Sequence, residues 1–225
     1  MRPGKLLSLL ALAAFLVPTP ALAQESSTTF YVTPWIATGF FGGSVGIETS
    51  GVSGSSEKST INNAPAWGLS GGLRLGGRIM VEGVVSYAAS TILTQTTTSS
   101  NQSLQIGYGL SIITFGGNVG YAFSTSKTSV VPYLIAGAGG MSFSPADEGK
   151  ALPTQPDSKT EFMFNFGGGV EIPISSGVRL RIDLRDYIAS TNAPFAPFPG
   201  TQGGEGESSS LNMILFSGGV SIGTP

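Results

Sequence analysis

The stretch Val178-Arg179-Leu180-Arg181-Ile182-Asp183-Leu184-Arg185 alternates apolar and charged residues without interruption. Successive side chains of a β-strand point to opposite faces, so this alternation predicts a strand with one aliphatic face and one charged face. The aliphatic face would point to the core of a soluble sheet, but to the lipid in a membrane-spanning barrel. The rest of the chain has to decide between these two environments.

Seven further segments are predicted to be strands, and the links between all eight alternate in length. The predicted strands cover residues 30–42, 66–75, 78–89, 104–123, 130–143, 161–174, 178–188 and 211–222. Long polar links at residues 44–65, 90–103, 144–158 and 190–210 alternate with short ones at 76–77, 124–127 and 175–177. Long loops at one end and tight turns at the other are typical of membrane barrels, whose strands need about 9–11 residues. We therefore predict an all-β fold, an eight-stranded antiparallel up-and-down transmembrane β-barrel.

The composition supports a membrane barrel. Charged residues make up 11% of the chain, which is about half the usual share in soluble domains. Beyond the N-terminal segment, no run reaches the roughly 18 consecutive apolar residues of a membrane-spanning helix. Because a closed barrel is the other fold that satisfies all backbone polar groups in lipid, the sequence favours a barrel over a soluble β domain.

The N-terminus has the features of a cleaved secretory signal. Arg2 and Lys5 precede an apolar run at residues 6–17, and Ala21-Leu22-Ala23 forms a small-residue cleavage motif. The apolar run is too short for a membrane anchor. We therefore expect residues 1–23 to be a signal peptide that is removed between Ala23 and Gln24. Residues 24–225 would then form one barrel domain, exported by the secretory pathway.

The mature chain would carry nine basic and 13 acidic residues, a net charge of −4, and it contains neither Cys nor His. The lack of Cys excludes disulfides, and the lack of both residues excludes zinc sites built on them. A catalytic mechanism with His as the base is excluded as well. No basic patch suggests nucleic acid as a partner. We expect no enzymatic activity, no cofactor and no metal site.

Polar and charged residues share the face opposite to the apolar residues in several predicted strands. In an eight-stranded barrel that face lines an interior just wide enough for side chains, where buried charges must be paired. The expected lumen charge network comprises Arg74, Glu82, Glu161, Glu171, Arg179, Arg181, Asp183 and Arg185. We expect these residues to fill the lumen as a structural plug that opens when the pairs are broken, with a gated ion path as the alternative.

Three features of the predicted strands concern the first strand, the step at Ile112 and Ile113, and the position of Asp186. The first predicted strand is apolar on both faces, so its register stays open. The alternation changes phase near Ile112 and Ile113, which predicts a bulge. Asp186 is an odd number of residues from Asp183, so it should lie on the opposite face, above the lipid near the extracellular rim.

Four stretches resemble the small eight-stranded outer-membrane β-barrel proteins, such as the OmpA transmembrane domain, the OmpX-like proteins and the outer membrane protein beta-barrel domain families. They are Val131-Pro132-Tyr133 with Ala136-Gly137-Ala138-Gly139, Phe164-Asn165-Phe166-Gly167-Gly168-Gly169-Val170, Arg179-Leu180-Arg181-Ile182-Asp183-Leu184-Arg185-Asp186-Tyr187 and Gly218-Gly219-Val220-Ser221-Ile222. The resemblance implies a location in the outer membrane of a Gram-negative bacterium. It also implies two partners, the outer-membrane lipids and the barrel-assembly machinery. Outer-membrane enzymes of similar size use His, which this chain lacks.

We predict an integral outer-membrane protein, monomeric, that serves envelope integrity or surface interaction and binds an extracellular ligand through its loops. Two alternatives stay open. One is a narrow channel or porin-like conduit for small solutes, and the other is a soluble periplasmic β-barrel that binds an apolar ligand. Conductance in liposomes would separate the first alternative from the structural role, and extraction without detergent would identify the soluble barrel.

The cleavage motif predicts the N-terminus of the exported protein. The chain recovered from the outer-membrane fraction should begin at Gln24 and have the mass of the 202 residues that follow residue 23. The reason is that signal peptidase selects small residues at the positions of Ala21 and Ala23. Intact-mass spectrometry checks this, with Ala23→Leu as the variant that should retain the precursor. Recovery of wild-type protein that still begins at Met1 would contradict it.

Overall fold

The computed structural model describes residues 28–42, 56–97, 103–145, 158–191 and 209–224. These residues form nine antiparallel β-strands. The strands are β1 (Thr29–Gly42), β2 (Ser56–Ile61), β3 (Ala64–Leu75), β4 (Ile79–Thr97), β5 (Ser103–Ala122), β6 (Val131–Pro145), β7 (Lys159–Ser175), β8 (Val178–Thr191) and β9 (Ser209–Gly223). Within the described ranges, no helix is long and apolar enough to cross a bilayer.

Eight of these strands close into a barrel, which confirms the predicted fold class. β1 pairs with β3 on one side and with β9 on the other, and the strands from β3 to β9 each pair with their neighbours in the chain. Following paired residues once around the barrel from Val32 leads back to Gly42, ten residues further along β1. This stagger tilts the strands against the barrel axis, as closure of a narrow barrel requires.

β2 is a strand that the sequence analysis placed inside a long link. It pairs with residues 92–97 of β4, whereas β3 pairs with the preceding part, so β2 continues the line of β3 beyond Asn62 and Asn63. β4 extends to Thr97 and pairs with β5 as far as Ser103, so most of the predicted link at residues 90–103 is also strand. The prediction for residues 90–103 was wrong in part because this segment is rich in Thr, a β-branched residue that favours strands despite its polarity.

The alternation of β5 continues through Ile112 and Ile113 without the predicted bulge. Its pairing with β4 and β6 keeps one register across both residues, and Ile112 faces the interior with 1% exposure. The prediction was wrong because two successive isoleucines occupy opposite faces, both of them apolar at this level. A register shift does occur between Pro173 and Ser175 of β7, since Pro cannot donate a hydrogen bond to the neighbouring strand.

Two tight turns at one end of the barrel depend on glycine. The turn between β3 and β4 places Gly76 and Gly77 at φ values of 56° and 69°, and the turn between β7 and β8 places Gly177 at 80°. Side chains make these backbone conformations unfavourable, whereas glycine adopts them freely. The link at residues 123–130 joins β5 and β6 at the same end. We call this the turn end and the opposite end the loop end.

The outward face of the barrel is apolar on every strand. On β1, Val32 and Ile36 are 49% and 72% exposed, whereas Tyr31 and Thr33 are buried, which settles the open register of the first predicted strand. Every other barrel strand also exposes large apolar side chains, for example Trp67, Val81, Val119, Leu134, Phe164, Leu184 and Phe216. Such a surface is stable in lipid and unfavourable in water, so the soluble-barrel alternative is not favoured.

A cation on this outward face should disrupt folding. Leu184 is 55% exposed on the outward face of β8. Leu184→Arg should lower the free energy of unfolding by about 2–4 kcal/mol, because a guanidinium within the hydrocarbon of the bilayer loses its hydration. Urea titration in lipid vesicles, followed by heat-shifted gel mobility, measures this change, and Leu184→Val is the apolar control. If Leu184→Arg is as stable as the wild type, the inside and outside faces of β8 have been exchanged.

Candidate functional site in the barrel lumen

Seven of the eight predicted lumen residues meet inside the barrel, in the half towards the turn end. They are Arg74 of β3, Glu82 of β4, Glu171 of β7, and Arg179, Arg181, Asp183 and Arg185 of β8. We call these residues the charge network. β8 supplies four of them because its odd-numbered positions share the inward face. The charge network contains four guanidinium groups and three carboxylates. Each carboxylate pairs with two of the arginines.

Glu82 is the most enclosed carboxylate of the charge network. Its Oε2 lies 2.5 Å from Nη1 of Arg181, and its Oε1 lies 3.1 Å from Nη2 of Arg185. The hydroxyl of Tyr31 donates a hydrogen bond of 3.3 Å to the same carboxylate. The Glu82 side chain has no exposed surface and that of Arg181 has 1%, so each charge depends on the other for compensation.

Asp183 lies on β8, as do Arg181 and Arg185, and it contacts both of these arginines. Its Oδ2 lies 3.0 Å from Nε of Arg181, and its Oδ1 lies 3.4 Å from Nη2 of Arg185. Tyr133 of β6 donates its hydroxyl to Asp183 and accepts a hydrogen bond of 2.7 Å from Nε of Arg181. The Arg181 guanidinium also lies 4.8 Å from the centroid of the Tyr133 ring, a cation–π contact. Arg181 is thus held by two carboxylates and one aromatic ring.

Glu171 forms the part of the charge network nearest the turn end. Its Oε2 lies 2.6 Å from Nη2 of Arg74 and 3.5 Å from Nη1 of Arg179. Arg179 also donates a hydrogen bond of 3.1 Å to the backbone carbonyl of Ser126, in the link between β5 and β6. The side chains of Arg74 and Arg179 are 10% and 21% exposed. Solvent therefore reaches the charge network from the turn end.

Glu161 does not join the charge network. It lies near the loop end of β7 and pairs with Lys159 on the same strand. Glu171 is ten residues further along β7, a separation of about 33 Å at the usual rise per residue. The parity of the strand placed Glu161 on the inward face, but parity carries no information on the level within the lumen.

Glycines opposite β8 make room for the side chains of the charge network. A Cβ atom at Gly169 would lie 2.6 Å from the hydroxyl oxygen of Tyr133, and one at Gly167 would lie 3.1 Å from Cγ of Arg185. Both glycines are on β7, which is paired with β8 at these positions. A side chain at either position would displace a group that holds the arginines.

Apolar side chains fill the lumen between the charge network and the loop end. On β8 the inward series changes from Arg185 to Tyr187 and Ala189. We call the buried residues of this region the apolar layer: Ile61, Ala66, Ala88, Leu110, Ile112, Met141, Phe143, Met163, Tyr187, Ala189, Leu211, Met213 and Leu215. A smaller apolar group packs beside the charge network towards the turn end and comprises Tyr31, Met80, Ala122, Val131, Tyr133 and Ile135. The lumen is therefore filled at both levels.

Sequence reasoning missed the apolar layer, although parity could have found it. Met163 shares the odd-numbered inward face of β7 with Asn165 and Glu171, and Met141 shares the inward face of β6 with Tyr133. A search for polar residues on the inward face passes over such positions. The charge network is thus one of two levels at which side chains fill the lumen.

Asp186 lies on the outward face of β8, as parity predicts, but it lies within the apolar surface and not above it. It pairs with Phe166 of β7 and Ile214 of β9, which are 53% and 43% exposed. Phe162 and Phe164 extend the apolar surface of β7 further towards the loop end. The predicted position at the rim was wrong because it rested on β8 alone, whereas the neighbouring strand carries its apolar residues beyond Asp186.

The charge network is suited to holding strands together. Each of its three carboxylates is ion-paired with two guanidinium groups, so none is free for acid–base chemistry. Over the part of the chain that the structure describes, no group of three His, Cys, Asp or Glu side chains could hold a metal ion. The geometry therefore points to a structural contribution to the lumen.

Loss of Glu82 should destabilise the barrel far more than loss of Glu161. Glu82→Gln should lower the free energy of unfolding by about 3–5 kcal/mol, because two buried guanidinium groups then share one carboxylate. Glu161→Gln, the control, should cost less, because the side chain of its partner Lys159 is 40% exposed and remains hydrated when the pair is lost. The double variant Glu82→Leu/Arg181→Leu should cost less than the sum of its single variants. Equal losses from Glu82→Gln and Glu161→Gln in urea titration would contradict the assignment of the network.

Comparison with known proteins agrees with the described geometry. The model of the family described as outer membrane protein beta-barrel domain matches residues 8–213, and no curated protein matches the sequence. The fold is similar to that of Neisserial surface protein A, at 16% identity and a TM-score of 0.53, over 86% of this chain and 96% of that chain. It is also similar to the outer membrane protein OprG from Pseudomonas aeruginosa, at 15% identity and a TM-score of 0.59, over 88% and 96% of the two chains. Because the family match spans most of the sequence, and the structure is a closed barrel with an apolar exterior, the chain belongs to the outer membrane protein beta-barrel domain family.

Proposed function

We propose that this outer-membrane barrel is a closed structural protein, which supports the envelope and contacts external ligands through its extracellular loops. The observation that carries the proposal is the filled lumen, with the charge network at one level and the apolar layer at the next. An eight-stranded barrel has an interior just wide enough for its own side chains. A protein of this kind acts through its surface and its embedding in the membrane.

The two levels of the lumen oppose different solutes. An ion that enters from the turn end meets the paired charges and then the apolar layer, where it would have to shed its water. An apolar solute that enters from the loop end meets the buried ion pairs of Glu82 and Arg181. This combination supports the structural role over the narrow channel, because neither class of solute finds a continuous favourable path.

The proposal extends to the partners of the protein. With a filled lumen, recognition would fall to the segments at residues 43–55, 98–102, 146–157 and 192–208, which lie outside the described residues. We infer that the barrel is inserted by the barrel-assembly machinery, stays monomeric and has no catalytic activity. The lack of His in the chain and the engagement of the lumen carboxylates by arginine support the last point.

Conductance in planar bilayers tests whether both levels close the barrel. The wild type, Arg181→Ala and the double variant Met163→Ala/Met213→Ala should each give at most small, intermittent currents, because at least one barrier remains in every case. The triple variant that combines these changes should conduct steadily, because it opens both levels. Heat-shifted gel mobility serves as the control that each variant has folded.

Two outcomes would count against the proposal. Stable porin-like currents from the wild type would favour the channel alternative instead. Steady currents from Arg181→Ala alone would show that the apolar layer is no barrier, and that the charge network by itself closes the lumen.

A further inference from the structure

Asp186 interrupts an otherwise apolar row of side chains that winds once around the outside of the barrel. We follow the outward-facing residue that is paired with Asp186 on each neighbouring strand, and continue in this way around the barrel. These residues form one row that begins and ends on β1. The other members of the row are Phe30, Leu73, Val81, Val119, Ala136, Phe166, Ile214 and Phe40. Among the strand residues whose side chains are described, Asp186 is the one Asp, Glu, Lys or Arg on the outward face. An ionisable residue in contact with lipid is costly, so its presence suggests a function.

Asn212 of β9 adds a second polar group beside Asp186. Asp186 is paired with Ile214 and Asn212 is paired with Ile188, so the two polar residues are diagonal outward neighbours on adjacent strands. Oδ1 of Asp186 and Oδ1 of Asn212 are both shielded from solvent, and neither has a hydrogen-bond partner in the protein. Two acceptors therefore lie unsatisfied within an apolar surface, where such atoms are unfavourable.

The surroundings define what could satisfy these two acceptors. The occupant must bring N–H or O–H donors, and it must also cover Phe166, Ile214 and Leu184, which are all exposed. The phosphate and ester groups of a diacyl phospholipid accept hydrogen bonds and offer no donor at the level of the acyl chains. A second copy related by a two-fold axis through this patch would bring two Asp186 carboxylates close together, with the Asn212 amides as the only donors between them.

We propose that Asp186 and Asn212 form a binding site for a glycolipid of the outer leaflet, one whose acyl chains are amide-linked and hydroxylated. The amide N–H and the hydroxyl groups of such a lipid lie just below its sugar, among the first carbons of the chains. They donate to the carboxylate of Asp186 and to Oδ1 of Asn212 once the acyl chains displace the neighbouring side chains that cover these atoms, and the acyl chains then cover the flanking apolar side chains. The position of Asp186 towards the loop end places the site in the outer half of the membrane.

The test compares the thermal stability of Asp186→Leu in two kinds of vesicle. In phosphatidylethanolamine and phosphatidylglycerol, the full mature protein with Asp186→Leu should melt about 2–4 °C higher than the wild type, because a shielded acceptor is removed. When lipid A with amide-linked hydroxyacyl chains is added, this gain should disappear, because the wild type alone gains the new hydrogen bonds. Asn212→Leu should show the same dependence on lipid A. Thr38→Val, an outward polar residue on β1, is the control and should respond equally in both vesicles.

Two results would overturn the proposal. One is an equal gain in melting temperature for Asp186→Leu with and without lipid A. The other is that the wild type forms a cross-linked dimer in vesicles without lipid A and that Asp186→Leu abolishes this dimer. Such a result would assign the patch to a second copy of the chain. A variant that fails to fold is recognised by its lack of heat-shifted mobility, and Asn212→Leu then supplies the comparison.

Discussion

The pairing of β1 with β9 is the constraint on which the rest of the structure depends. Lipid offers no water to satisfy backbone N–H and C=O groups, so a sheet in the membrane must close on itself. Closure joins strands from the two ends of the described chain, for example Phe40 with Ile214, and it fixes the ten-residue stagger around the barrel. Strand number and stagger together set the radius. A narrow lumen that side chains must fill follows directly from this pairing.

The narrow lumen explains both the glycines and the division of the interior into two levels. Arg181 and Tyr133 cross the lumen where Gly169 leaves space for them. Towards the loop end, where carboxylates and arginines are replaced by Met163 and Met213, the interior excludes ions by its apolar character. The same closure that satisfies the backbone thus leaves a narrow interior. At each level, this interior is filled either by paired charges or by closely packed apolar side chains.

The face on which a side chain lies could be predicted from the sequence, but its level along the barrel axis could not. Parity along β8 placed Arg181 inward and Leu184 outward, because alternation is a local property of extended backbone. Pairing partners are not local, since Glu82 and Arg181 are 99 residues apart in the chain. The same distinction explains why Glu161 lies near the loop end, away from the charge network, although its strand parity gives it the inward face. Asp186 was misplaced for the same reason, because the level of the neighbouring strands was unknown.

The amino-acid sequence by itself determined the membrane-barrel fold, the number of barrel strands and the lipid-facing side of most strands, because hydrophobic periodicity and loop length are local properties of the chain. The tertiary structure decided the register of β1, the continuity of β5 through Ile112, and the presence of β2 beside β4. It also decided which acid meets which arginine, and it revealed the apolar layer above them. These features depend on the stagger between strands, which is set when the sheet closes and which no single strand encodes.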